Sequence, residues 1–170
     1  MKTFRDFIIE CVDIEESSMS RIKRQSDKGG SAVMSASRGN LSSKENRARA
    51  KKLDRDIRGK FGKGATKVTG KYDEKDEKTG ETKRVKERSH VIQSGKMGKR
   101  KFKKAVKALG KKYGQDSVIT QQKGDKSATL KRTRKGGLPK RNIKLGKMRP
   151  GRSGENETQK KGKTFTYDTK

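Results

Sequence analysis

The stretch ATKVTGKYDEKDEKTGETKRVKERSHVI, residues 65–92, decides the fold. Ala65 to Tyr72 has the β-branched content of a strand, and alternation puts Thr66, Val68, Gly70 and Tyr72 on one face. Asp73 to Thr82 is charged and carries Thr79-Gly80, which suits a hairpin loop, so Val85 to Ile92 becomes the return strand. Two strands alone are not stable in water. Partners must lie on either side of this hairpin.

Upstream, Ser42 and Glu45 form an S-x-x-E capping box, and the segment through Arg58 places Ala50, Leu53 and Ile57 on one helical face. Gly59, Gly62 and Gly64 stop that helix. Their spacing with Lys60 and Lys63 resembles a phosphate loop in composition but lacks the Gly-Lys-Ser/Thr ending and a preceding strand, so it reads as a turn. Downstream, Phe102, Ala105, Val106 and Leu109 repeat at helical spacing, with Tyr113 a turn further on, predicting a helix over 98–112 that covers the sheet. Val118-Ile119 and Ser127 to Leu130 read as short strands around a Gly124-Asp125 turn. The order helix, strand, strand, helix, strand, strand over residues 40–132 predicts an α+β domain: a small antiparallel or mixed sheet packed by two helices.

Outside it, residues 17–39 are rich in Ser, Gly and Lys and read as a flexible linker. Residues 133–170 read as a disordered basic tail. From Lys131 onward there are fourteen Lys and Arg against three acidic residues. Within that tail, Lys163 to Tyr167 alternates as a terminal strand able to add to an exposed sheet edge.

Composition narrows the function. Of 170 residues only 25% are hydrophobic, and 49 Lys and Arg against 20 Asp and Glu leave a net charge of +29. A magnitude of roughly 2 to 8 suffices to keep a small domain soluble. The excess therefore points to a polyanion, with Arg47, Arg49, Lys51, Lys52, Arg55, Lys99, Arg100, Lys103, Lys104, Lys131, Arg132, Arg134, Lys135, Lys140 and Arg141 as the expected nucleic-acid-binding residues. Neither a zinc finger nor a helix-turn-helix signal is legible, so contact should be with the backbone of double-stranded DNA. No apolar run is long enough to span a bilayer, and no membrane partner is expected. The single cysteine, Cys11, and single histidine, His90, leave no Cys/His cluster, so neither a metal nor a cofactor is expected.

The first ten residues, MKTFRDFIIE, read as a short amphipathic helix that Thr3 would cap, with Phe4, Phe7, Ile8 and Cys11 expected on one face. Docking on the protein's own core or on a second copy is one reading of such a helix. A membrane-surface helix is disfavoured, because residues 1–16 carry two basic and five acidic side chains. The segment resembles the capsid-targeting sequence of internal head proteins of T-even-like tailed phages. That resemblance implies cleavage by a maturation protease after Glu10, in Ile8-Ile9-Glu10, or after Glu16, in Ile14-Glu15-Glu16.

The central domain resembles a family of small uncharacterised proteins of bacteria and phages. The resemblance rests on Ser37-Arg38-Gly39-Asn40-Leu41-Ser42, Glu45-Asn46-Arg47, Gly70-Lys71-Tyr72-Asp73-Glu74, Glu87-Arg88-Ser89-His90-Val91 and Tyr113-Gly114-Gln115-Asp116-Ser117-Val118. His90 stands where that family usually has an aromatic residue and reads as a packing substitute. Glu45, Asn46, Arg47, Glu87, Ser89 and Gln115 either line a surface groove or form a hydrogen-bond network holding the helix on the sheet.

Taken together, these features lead to the expectation of a non-enzymatic phage internal head protein. It would sit inside the virion beside packaged DNA, after contact with the prohead scaffold or core and the maturation protease. Ejection into the host cytoplasm with the genome would then bring it to a host defence enzyme. The alternative expectation is a basic nucleic-acid-binding protein that acts inside the infected cell and is absent from the virion.

Overall fold

The computed structural model of the chain describes residues 19–75, 79–135, 141–152, 157–160 and 162–167. Thr3, Phe4, Phe7, Ile8, Cys11, the expected cleavage positions at Glu10, Ile14 and Glu16, and Lys140 lie outside the described residues. Residues 19–29 are helical (α1) and lead into β1 (Ser31–Ser35). There follow α2 (Ser43–Phe61), β2 (Thr66–Lys75), β3 (Thr82–Gln93), α3 (Lys99–Lys112), β4 (Ser117–Gln121), β5 (Ala128–Arg132), β6 (Ile143–Gly146), β7 (Met148–Pro150), β8 (Glu157–Lys160) and β9 (Lys163–Tyr167).

The described strands make one antiparallel sheet in the order β6-β5-β4-β1-β3-β2-β8-β9-β7. Its edge strands β6 and β7 are separated in sequence by Lys147 alone, so the sheet curls until its two edges meet, close to a barrel. The α+β class expected from the sequence holds, but the sheet has nine strands where a small one was expected.

Strand registry sorts the side chains into two layers. On the outer face Ala32, Met34, Ile92 and Val118 pack with Leu53 and Ile57 of α2 and Phe102, Val106 and Leu109 of α3. On the inner face Val33 pairs with Val91, and Val68 with Ser89. Val33, Val68, Val91, Met148 and Phe165 form a second cluster with Met19 and Ile22 of α1, so α1 fills one end of the curl.

Helix α2 begins where the sequence places it: the Ser42 side chain accepts from the Glu45 amide at 3.2 Å, and the Ser42 amide donates to Glu45 Oε2 at 2.8 Å. Helix α3 has no such cap, and its first turn carries no acid. It also stacks four like-charge pairs at i, i+4 (99/103, 100/104, 103/107 and 107/111), each unfavourable by about 0.2–0.5 kcal/mol. Burial of Phe102, Val106 and Leu109, at about 1.5–3 kcal/mol each, outweighs that repulsion several-fold. Side chains join the two helices at two points. Phe61 meets Phe102 edge-to-face at 5.6 Å at one end, and the Tyr113 hydroxyl donates to Asp56 Oδ2 at 2.6 Å at the other.

Two expectations are corrected. Residues 17–39, expected as a flexible linker, supply α1 and β1, and β1 is buried along its length. Gly30 joins the two at φ +84, where a Cβ would stand 2.8 Å from the Lys123 amide nitrogen, so only glycine fits. Residues 133–170, expected as disordered, contribute β6 to β9, and Met148 and Phe165 from this segment are buried in the inner core. These strands are three to five residues long, β8 has no apolar residue, and each of the others has at most two or three. Their burial depends on neighbours distant in sequence, which composition does not report. Lys163–Tyr167 is a strand, as expected, but it lies inside the sheet between β8 and β7.

Candidate active site

The curl is apolar where α1 fills it and polar at its other end, because the inner-facing positions change character along β1, β2 and β3. Following Val33, the next inner position on β1 is Ser35. On β3, Val91 gives way to Ser89 and Glu87, and on β2 Val68 gives way to Gly70 and Tyr72. This end opens as a groove of about 750 Å³. Its apolar wall includes Val33, Ile119, Leu130, Leu145 and Tyr167, and its polar wall includes Glu87, Ser89, Gln115 and Tyr72.

Glu87 is the centre of the polar wall. The Tyr72 hydroxyl donates to Glu87 Oε1 at 3.1 Å, and both side chains also line a smaller depression of about 360 Å³ beside Arg38, Asn46 and Arg47. Opposite Glu87 in the register stands Gly70. A Cβ on Gly70 would approach Ser89 Oγ to 3.2 Å, so the missing side chain leaves the floor open beneath the carboxylate. The other groove-lining acid, Glu157, is held by Lys71 at 3.3 Å and Arg84 at 3.5 Å. Arg152 stands at the same rim. Glu157 stands opposite Lys71, one position off the inner-facing Gly70–Thr158 pair, so its carboxylate meets Lys71 and Arg84 on the outer face, and Glu87 is the acid on the inner face of the groove. A carboxylate beside an apolar wall suits a small ligand that carries a cationic group and an apolar or aromatic part. Burial pushes the Tyr167 phenol well above its ordinary value, so the hydroxyl stays protonated at the apolar end.

The six polar residues singled out in the sequence divide between the two readings. Glu87, Ser89 and Gln115 line the groove, and Arg47 lines the depression. Glu45 is spent on the helix cap. Asn46 is structural: its side chain accepts from the Arg38 amide at 2.9 Å and donates to the carbonyls of Arg38 and Leu41 at 3.0 and 3.2 Å. Gln115 also ties the groove to the β1–α2 connection by donating to the Ser37 carbonyl at 3.1 Å. His90 is 2% exposed on the outer side of β3, paired with Met34, and so packs as expected without reaching the groove.

Ser35, Leu130, Arg152 and Tyr167 escaped the sequence reading as site residues. The alternation of β2 and β3 was a usable signal for the pair at the centre, since Tyr72 faces Val85 and therefore shares a face with Glu87.

Those expected nucleic-acid-binding residues that lie among the described residues do not enter the groove. Lys51, Lys52 and Arg55 are exposed on α2, and Lys99, Arg100, Lys103 and Lys104 are exposed on α3. Arg49 turns inward, donating to the carbonyls of Ala36 at 2.7 Å and Tyr113 at 2.6 Å. Arg134 pairs with Asp116. Lys131 and Arg132 are half-buried on β5, and Lys135 and Arg141 are exposed beyond it.

Residues 32–170 match the model of the S-Adenosylmethionine lyase family. The match begins in β1 and runs through every later element, so it takes in the whole groove. No curated protein matches the chain. This is a family of enzymes, which overturns the expectation of a non-enzymatic internal head protein and that of a protein acting only by binding nucleic acid. Net charge reports the surface, whereas the groove is lined mostly by uncharged residues that composition dilutes.

Proposed function

Since the chain belongs to the S-adenosylmethionine lyase family, we propose that it breaks a carbon–sulfur bond of S-adenosylmethionine in the groove centred on Glu87. The observation that carries this reading is the coincidence of the Glu87 carboxylate, held by Tyr72, with an apolar wall in one cavity. The substrate brings a sulfonium, an ammonium and a carboxylate on one side and a flat nucleobase on the other. Val33, Ile119, Leu130 and Tyr167 offer the apolar surface for the base, and Glu87 offers the charge for the amino-acid end.

The chemistry sets what Glu87 does. Cleavage leaves the bonding pair on sulfur and releases a neutral thioether, so the leaving group needs no proton. The substrate's own carboxylate oxygen bonds to the γ-carbon as the bond from that carbon to sulfur breaks, so methylthioadenosine and an amino-lactone leave and water takes no part. The sulfonium charge disappears on the way to products, so a carboxylate set against it would stabilise substrate more than transition state. Glu87 therefore serves best on the ammonium, which keeps its charge throughout, while Tyr72 fixes the carboxylate by its hydrogen bond. The walls hold the flexible amino-acid chain in a reactive fold and keep water away, which is the larger contribution in an intramolecular reaction.

Depleting S-adenosylmethionine starves every methyl-dependent enzyme in the same compartment. This supports action against a host defence enzyme without any direct contact between the two proteins. The test is incubation of the purified protein with S-adenosylmethionine, following loss of the sulfonium and release of methylthioadenosine by liquid chromatography. Catalytic release supports the reading, and an intact substrate after prolonged incubation at high protein concentration overturns it.

A further inference from the structure

The groove leaves the strongest electrostatic feature of the protein unused. Helix α3 carries Lys99, Arg100, Lys101, Lys103, Lys104, Lys107, Lys111 and Lys112 and no acidic residue. Among the described residues only Lys112 of these eight makes an ion pair, with Asp56 at 2.8 Å. The other seven are exposed. Beside α3, helix α2 presents Lys44, Lys51, Lys52 and Arg55 to solvent, while its acids are engaged elsewhere: Glu45 in the cap, Asp54 with Arg58 and Lys67, and Asp56 with Lys112 and Tyr113. Cations thus point outward from both helices, and the acids that could neutralise them are committed to the fold.

We propose that the outer face of α2 and α3 is a docking surface for the phosphate backbone of double-stranded nucleic acid, separate from the lyase groove and independent of that reading. Three features of the face favour a duplex over other polyanions. Its charge is regular, with eight basic side chains along the roughly 21 Å of a fourteen-residue helix. A duplex presents one phosphate per about 1.7 Å of axis and can meet such a row at any register. Single strands are held by stacking on exposed aromatic rings, and the only large hydrophobic residue exposed among the described residues is Ile143, on β6 and away from both helices. The same lack of apolar anchors disfavours an acidic protein partner, whose binding centres on a desolvated aromatic or aliphatic core, and a lipid surface, where an interfacial helix buries an apolar face. Lysine dominates α3, and its point charge on a flexible stem suits backbone contact without base readout.

The test compares the full chain with two triple variants of equal net charge. One is Lys99→Gln, Lys103→Gln and Lys107→Gln, which neutralises a stripe of α3; glutamine keeps the helix propensity of lysine. The other is Lys123→Gln, Lys126→Gln and Lys144→Gln, exposed positions on the sheet side. Binding to a labelled random-sequence duplex is read by fluorescence anisotropy across a salt series. The α3 variant should bind on the order of tenfold or more weakly at moderate salt, with its log–log salt slope reduced by about three, while the sheet-side variant stays near the parent. Circular dichroism and S-adenosylmethionine turnover report whether each variant keeps its structure. Equal losses in the two variants would mean that bulk charge alone drives binding and would overturn the assignment. So would tighter binding to vesicles of anionic phospholipid than to the duplex.

Discussion

Replacing Glu87 by glutamine tests the candidate site most directly, because the substitution keeps the shape and hydrogen-bonding reach of the side chain and removes only its charge. An ammonium about 4 Å from a carboxylate near a protein surface gains about 4 kcal/mol at an effective dielectric of 20. A charge-assisted hydrogen bond in a partly open groove retains about 1.5–3 kcal/mol of that. S-Adenosylmethionine should therefore bind Glu87→Gln about 10- to 150-fold more weakly, at 1.4 kcal/mol per decade. Calorimetric titration with three ligands isolates the cause. S-Adenosylhomocysteine keeps the ammonium and lacks the sulfonium charge, so it should weaken as much as the substrate. Methylthioadenosine carries neither cationic group and should bind parent and variant alike. If methylthioadenosine weakens as much as the other two, Glu87 shapes the groove instead of reading charge. If affinity for the substrate is unchanged, the carboxylate does not face it, and the assignment of this end of the groove to the amino-acid chain is wrong.

Further outcomes follow from the packing. Phe165 is 0% exposed in the inner core and stands edge-to-face with Tyr167 at 5.9 Å. Phe165→Ala should cost about 3–5 kcal/mol and lower the melting temperature by on the order of 10 °C; a loss under 1 °C would return the C-terminal segment to the status of a tail. Burial, reinforced by the Lys67 charge and partly offset by Asp54, holds the His90 imidazole below its ordinary value of 6.5. The unfolded chain therefore takes up this proton first as pH falls. The His90 contribution is complete above about 6.5 and is lost below it, at up to about 1.4 kcal/mol per pH unit. Urea midpoints measured on either side of that value should fall less in His90→Gln than in the parent, and parallel falls would assign the acid sensitivity to other groups.

How much was legible in the sequence follows from which interactions are local. The capping box of Ser42 and Glu45, the apolar stripe of Ala50, Leu53 and Ile57, and that of Phe102, Val106 and Leu109 all lie within one helix. Sequence spacing therefore determined α2 and α3 and the faces they bury. The alternation around Val68 and Val91 likewise determined the central hairpin, but its strands are longer than expected: Asp73 to Lys75 and Thr82, read as loop from their charge, are paired across the ladder. The net charge of +29 is a property of the sequence alone and carries the expectation of a polyanionic partner. Tertiary structure alone decided the rest. Strands β6 to β9 are short and poor in apolar residues, and they become strands because β5 and β2 supply hydrogen-bonding edges and α1 joins the inner core with Phe165. The groove exists because curling the sheet brings Ser35, Tyr72, Glu87, Gln115, Leu130 and Tyr167 together from five strands and a loop. No local pattern encodes that convergence, since it depends on the closure of β6 towards β7, and closure is a property of the whole sheet.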